Sequence, residues 1–187
     1  MKGGSLMNIY TIGHSVHSQE AFIHMLQTEN IQVLVDVRAF PASRKFPHFS
    51  KERMQKWLPQ AGIEYVHLLS LAGRRNKSQL IQSNINGGWR NQSFHNYADY
   101  TLTNEFQNGI KELKGLATEK RVVYCCAERH PSRCHRLLVS NWFCANGWDV
   151  KHIISESYEQ TIILPHTLGQ WGAMPIIESD GTVVYPI

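Results

Sequence analysis

The run Val122-Val123-Tyr124-Cys125-Cys126-Ala127-Glu128-Arg129-His130-Pro131-Ser132-Arg133-Cys134-His135-Arg136 decides how this chain is read. A short apolar stretch ends in two thiols. A carboxylate, three arginines and two imidazoles follow, and an aliphatic pattern resumes at Leu137-Leu138. That order predicts a buried strand whose carboxyl end opens onto a polar loop, and then a helix. Ligands of open α/β sheets bind at this edge, so a site is expected here.

The same alternation extends in both directions. Ile9–Ile12, Gln32–Val37, Glu64–Leu68, Arg121–Cys125 and Asp149–Ile154 read as strands. Between them lie helical patterns. Ser18 is placed to cap a helix carrying Ala21, Phe22, Met25 and Leu26. Ser50 starts one carrying Met54, Trp57, Leu58 and Ala61, closed by Gly62. Phe106, Ile110, Leu113 and Ala117 mark a third, and Leu137 to Ala145 a fourth. Strands alternating with helices imply a mostly parallel sheet with right-handed crossovers. The fold class is therefore α/β: a single three-layer domain with a Rossmann-like sheet flanked by helices. Residues 72–92 lack periodicity and read as a long polar loop of a kind that is usually functional or mobile. Residues 1–7 read as a flexible extension before a domain over 8–187, and 155–187 as a C-terminal extension of undefined role, with a turn at Asp180-Gly181.

The chain of 187 residues is 42% hydrophobic, which suits one globular domain and excludes global disorder. No apolar run is long enough to span a bilayer, and no membrane association is expected. The start lacks the apolar core of a signal peptide. Four cysteines without secretory signals suggest reduced thiols in a cytoplasm. A net charge of +4 permits phosphate contact, but a solvated surface explains it equally well.

In a parallel sheet the ends of the first, second and fourth strands share one edge. Gly13-His14-Ser15, Asp36-Val37-Arg38 and Cys126-Ala127-Glu128 are thus expected to converge. Glu128, among basic neighbours, is the candidate catalytic acid or base; the alternative is a loop-ordering pair with Arg129, Arg133 or Arg136. Asp36 is costly to bury unless paired, and Arg38 points to the same side; a salt bridge competes with a catalytic role. His14 is a candidate proton carrier and Ser15 a hydrogen-bond donor. Ser43, Arg44, Arg133, His135 and Arg136 are candidate ligand-binding residues, the arginines as planar anion forks. Arg74, Arg75 and Tyr97, with Lys77, Trp89, Arg90, Phe94 and His95, combine charge and rings as nucleic-acid loops do; aromatics anchoring the loop to the core are the competing account.

Cys126, Cys134 and His135 lack the compact spacing of a zinc site, so neither metal nor other cofactor is expected. Cys144 reads as a core thiol. A cysteine at a strand end also suggests nucleophilic catalysis through Cys126, and Val35-Asp36-Val37-Arg38 is faintly similar to a motif of rhodanese-like sulfurtransferases. Against that, Glu128 puts an acid into the loop, and the spacing from Cys126 to Arg133 is one residue too long for the phosphatase pattern.

Several ordered motifs together resemble the domain-of-unknown-function 488 family: Thr11-Ile12-Gly13-His14-Ser15; Leu34-Val35-Asp36-Val37-Arg38 with Pro41, Ser43 and Arg44; Gly62-Ile63-Glu64-Tyr65; Leu71-Ala72-Gly73-Arg74-Arg75; Tyr97-Ala98-Asp99-Tyr100; and Cys126-Ala127-Glu128 through Cys134-His135-Arg136. The resemblance spans about residues 8 to 154 and departs at Ala72, where the family pattern has glycine. It implies a compact α/β domain, and DNA-repair labels on some members imply a nucleic-acid connection. The leading expectation is a metal-independent hydrolase acting on a nucleotide or nucleic acid, at an N-glycosidic bond. The alternatives are a cysteine-dependent sulfurtransferase and a non-enzymatic binding module for a phosphate-bearing ligand.

Overall fold

Strands buried on both faces dictate the layers of this molecule. The computed structural model describes residues 7–157 and 160–187; apart from Met7, the N-terminal extension expected at 1–7 lies outside the described residues. The strands β1 (Asn8–Gly13), β2 (Val33–Asp36), β3 (Glu64–His67), β4 (Val122–Cys126), β5 (Asp149–Ser157) and β6 (Gln160–Pro165) form one sheet, in the order β3-β2-β4-β1-β5-β6. All neighbours are parallel except β5 and β6. Period-two alternation sends Ile9, Val33, Val35, Val122, Tyr124 and Cys126 to one face, and Tyr10, Ile12, Leu34, Val123 and Cys125 to the other. This double burial explains why the strands read as unbroken apolar runs.

Two helices cover the second face. In α1 (Gln19–Thr28) Ser18 caps the first turn by accepting from the Ala21 N–H at 3.1 Å. In α2 (Lys51–Gln60) Met54, Trp57 and Leu58 are buried, and Gly62 at φ 79° turns the chain into β3. The first face carries α3 (Gln92–Tyr100), α4 (Asn104–Glu119) and α5 (Arg136–Ala145). The three-layer α/β domain expected from the pattern is what the chain forms.

Two elements depart from the sequence reading. Helix α3 was not expected; it starts where the Asn91 side chain accepts from the Ser93 and Phe94 N–H groups. The C-terminal extension is woven into the domain. Strand β6 folds back on β5, and a two-stranded ribbon, β7 (Ile176–Ile177) with β8 (Val183–Val184), returns Tyr185 to the core. The 72–91 loop has no regular element, yet it is tied down. Buried Asn86 donates to Asp99 at 2.8 Å and accepts from the Tyr185 N–H at 3.0 Å. Trp89 and Tyr97 are core residues, in keeping with the account of aromatics that anchor this loop.

Among the described residues no helix is long and apolar enough to cross a membrane.

Candidate active site at the carboxyl ends of the strands

Connections diverge between neighbouring strands β1 and β4. The chain leaves β1 for α1 on one face and β4 for α5 on the other, which makes this a switch point of the kind that opens a ligand crevice. Pairing continues past the strand ends: His14 N–H donates to Cys126 O at 2.9 Å, Ser15 N–H to Ala127 O at 3.0 Å and Val37 N–H to Cys125 O at 2.9 Å. Gly13 permits this approach, because a Cβ there would collide with the Glu128 carbonyl. Gly73 likewise leaves room for the His135 ring. The expected glycine at Ala72 is not needed, since φ there is −63°.

A cleft of roughly 810 Å³ opens at this edge. Of the residues singled out in the sequence, His14, Arg38, Ser43, Arg74, Tyr97, Cys126, Glu128, Arg133 and His135 line it. Asp36, Ser15, Arg44, Arg75 and Arg136 do not. Phe40, Phe94, Ser132 and Cys134 also face the cleft.

Asp36 is fully buried and saturated. It accepts from Arg38 Nε at 2.9 Å, Arg38 Nη2 at 2.8 Å, the Arg38 N–H at 3.1 Å and Tyr65 OH at 2.5 Å. The salt-bridge alternative describes it, and it holds Arg38 rather than a substrate. Arg38 Nη1 in turn donates to His14 Nε2 at 3.1 Å, while His14 Nδ1–H donates to Ser15 O at 2.9 Å. Burial, reinforced by the Arg38 charge, lowers His14 to about 4. Both ring nitrogens are engaged, so His14 is neutral and is not set to deliver a proton. His135 stays neutral through burial and fixes the start of α5 by donating from Nε2 to Val37 O at 3.0 Å. Arg75 lies over the Tyr100 ring at 3.7 Å and donates to Ala72 O and Leu69 O, which makes it a loop brace. Arg44 is exposed away from the cleft. Arg74, also exposed, lines the cleft at φ 60°, a left-handed backbone that is uncommon for residues other than glycine.

The cleft floor is a pair of thiols. Cys126 at the end of β4 lies 3.0 Å, sulfur to sulfur, from Cys134, which follows the short turn Pro131–Arg133. Arg136, fully buried, donates from Nε to Cys134 Sγ at 3.4 Å and from Nη2 to Glu128 O at 2.7 Å. Burial alone would raise Cys134. The hydrogen bond from Cys126 and the Arg136 guanidinium overcome it and hold Cys134 well below the usual thiol range. Burial and the same hydrogen bond push Cys126 well up. These opposite shifts, with Cys134 also accepting from Arg136 Nε, favour Cys134 as the more acidic sulfur of the pair. Sequence reasoning chose Cys126 and saw Cys134 only as a poor metal ligand; the spacing does not tell which sulfur the guanidinium meets. Among the described residues no group of three or more His, Cys, Asp or Glu is arranged to hold a metal ion.

A second polar chain runs from Arg136 in the opposite direction. Arg136 Nη1 donates to Thr11 Oγ1 at 3.0 Å, and Thr11 contacts His152 Nδ1 at 2.7 Å. His152 Nε2 meets His166 Nδ1 at 3.0 Å, and His166 Nε2 meets Asn141 Oδ1 at 2.8 Å. With the guanidinium donating at one end and an amide oxygen accepting at the other, every intermediate proton has one consistent place. Each imidazole gives one N–H and accepts at its other nitrogen.

The architecture is that of a doubly wound α/β protein, with a cleft where chain connections diverge. More narrowly, it belongs to the family described as domain of unknown function DUF488, whose sequence model matches residues 18–143. That match is narrower than the 8–154 resemblance, and Gly13-His14-Ser15 lies outside it. No curated protein and no solved structure matches the chain.

Proposed function

We propose that the chain is a cysteine-dependent enzyme acting on a small anionic substrate, with Cys134 as nucleophile. The observation that carries this reading is Cys134 in the lining of the cleft, its sulfur 3.0 Å from the Cys126 sulfur and accepting from the buried Arg136 Nε. Attack forms a bond from sulfur to the electrophilic atom; the bond to the leaving group breaks, and the leaving group departs with its electron pair. Arg74 and Arg133 stand at the rim to hold the substrate's charge. The loop differs from a phosphate cradle. The Ser132, Arg133 and Cys134 N–H groups are spent on His130 Nδ1, His130 O and Pro131 O. Side chains rather than backbone amides would bind the anion, and Arg136 rather than an amide nest balances the sulfur.

A second reading is the hydrolase, at a nucleotide's N-glycosidic bond. It is favoured by exposed Glu128, which lines the same cleft as Phe40 and Phe94. Glu128 would activate water or stabilise the sugar cation. The test has two arms. Iodoacetamide applied to the folded protein at pH 6 labels Cys134 ahead of the other thiols in the first reading. Product formation from a panel of nucleotides is then followed for Cys134→Ser and Glu128→Gln. Loss with Cys134→Ser supports the thiolate enzyme. Loss with Glu128→Gln and survival of Cys134→Ser supports the hydrolase. Ligand retention without product from any form leaves a binding module.

A further inference from the structure

We infer that the substrate class of this site is an anionic disulfide, which Cys134 attacks and Cys126 resolves. The inference rests on the reading of Cys134 as nucleophile and extends it to the second sulfur. A single activated cysteine needs no neighbour of its own kind; here a second thiol stands 3.0 Å away, across a short loop, and both cysteines line the cleft. Bond formation needs an approach of only about 1 Å, given a disulfide length of about 2.05 Å. Cys125 and Cys144 do not line the cleft; Cys125 lies on the opposite face of the sheet, bonded to the Cys126 carbonyl.

The exchange balances in two steps. Cys134 thiolate attacks one sulfur of the substrate RSSR; the protein–S–SR bond forms, the substrate S–S bond breaks and RS⁻ leaves. Cys126 then attacks Cys134 Sγ, its proton departs with the second sulfur as RSH, and the Cys126–Cys134 disulfide is formed. Two protein sulfurs are oxidised and one substrate disulfide is reduced. In the reverse direction two thiols regenerate the thiol–thiolate pair. Arg136 assists both directions, because it stabilises Cys134 as the sulfur that is negative before attack and as the preferred leaving group on return. Exposed Arg74 and Arg133 outnumber the one carboxylate at the rim, Glu128, which favours an anionic partner over a cationic one.

The test uses the full chain, reduced and then freed of reductant, with glutathione disulfide as anionic probe and cystamine as cationic probe. After alkylation and peptide mapping, wild type is expected to yield a Cys126–Cys134 linked peptide and two equivalents of released thiol. Cys126→Ser, or Cys126→Ala should the serine variant fold poorly, is expected to trap a stable mixed disulfide on Cys134; Cys134→Ser is expected to trap none. Glutathione disulfide should react roughly tenfold or more faster than cystamine at low salt, and Arg74→Ala with Arg133→Ala should remove that preference. A wild type that stays a dithiol while Cys134 still alkylates rapidly overturns the disulfide inference and leaves the nucleophile reading standing. A Cys134 that does not alkylate overturns both. Equal rates for the two probes overturn the anionic preference.

Discussion

Lowering the pH from 8 to 5 should remove about 6 kcal/mol of folding stability through three buried histidines. Burial, with the Arg38 charge, holds His14 at about 4. Burial and its histidine neighbour hold His152 at about 2, and burial holds His166 at about 4. In the unfolded chain each titrates near 6.5. Between the folded and unfolded values the unfolded state therefore binds the extra proton, so stability rises with pH through this window and is complete above about 7. At pH 5 an unfolded imidazole is almost fully charged and the folded one almost fully neutral, which costs about 2 kcal/mol per group. His17, His130 and His135 are also lowered by burial and act in the same direction. The loss is large beside the usual total of about 5–15 kcal/mol. Urea unfolding at pH 8, 6.5 and 5 measures it. His166→Gln should reduce the pH dependence by about a third, because one of the three proton sites is gone. A loss below about 2 kcal/mol, or an NMR titration placing any of the three above 6, refutes the reasoning.

Other outcomes follow from single contacts. Arg136→Met should cost about 3–5 kcal/mol, since it strips donors from Cys134, Thr11 and two carbonyls; a thermal scan should show a drop of roughly 6–20 °C, and alkylation of Cys134 should need a higher pH. Gly13→Ala should cost about 1–3 kcal/mol or more, as its methyl group would displace the Glu128 backbone; a melting temperature like that of wild type would show that the two loops can separate freely. Arg74→Ala and Arg133→Ala, on exposed side chains, should each change stability by less than about 0.5 kcal/mol while weakening retention of an anionic ligand in a salt-dependent way.

The layers were legible because the central strands β1, β2 and β4 are buried on both sides and so write nearly continuous apolar words. Helix α3 was not. Its buried residues, Tyr97, Ala98, Asp99 and Tyr100, are consecutive, because neighbours close on it from several directions and the polar Asp99 is satisfied by Asn86. A helical repeat is invisible when burial is not confined to one face. Strand β6 hid for a different reason: its short Ile162-Ile163-Leu164 run is only half buried at the sheet edge, and it pairs antiparallel to β5, outside the strand–helix alternation. The site was legible as a place, since topology alone brings the ends of β1, β2 and β4 together. Roles within it were not. Asp36 and Arg136 both look like ligand-facing charges in the sequence, yet each is buried beneath the cleft holding another group.

That burial has a physical logic. A guanidinium taken from water is tolerated only where acceptors surround it, and Arg136 finds them in Thr11 Oγ1, the Glu128 and Arg129 carbonyls and the Cys134 sulfur. Three of these four oxygen and sulfur partners belong to the β4–α5 loop, so the same cation that orders the loop also charges its sulfur. The histidine chain on its far side accepts no proton from it, because each imidazole is already committed between a donor and an acceptor. The positive charge is thus confined beside Cys134 instead of being shared along the relay. A histidine in this position would tie the sulfur's environment to its own titration near neutrality; an arginine stays cationic, so its pull on the sulfur does not fade with pH.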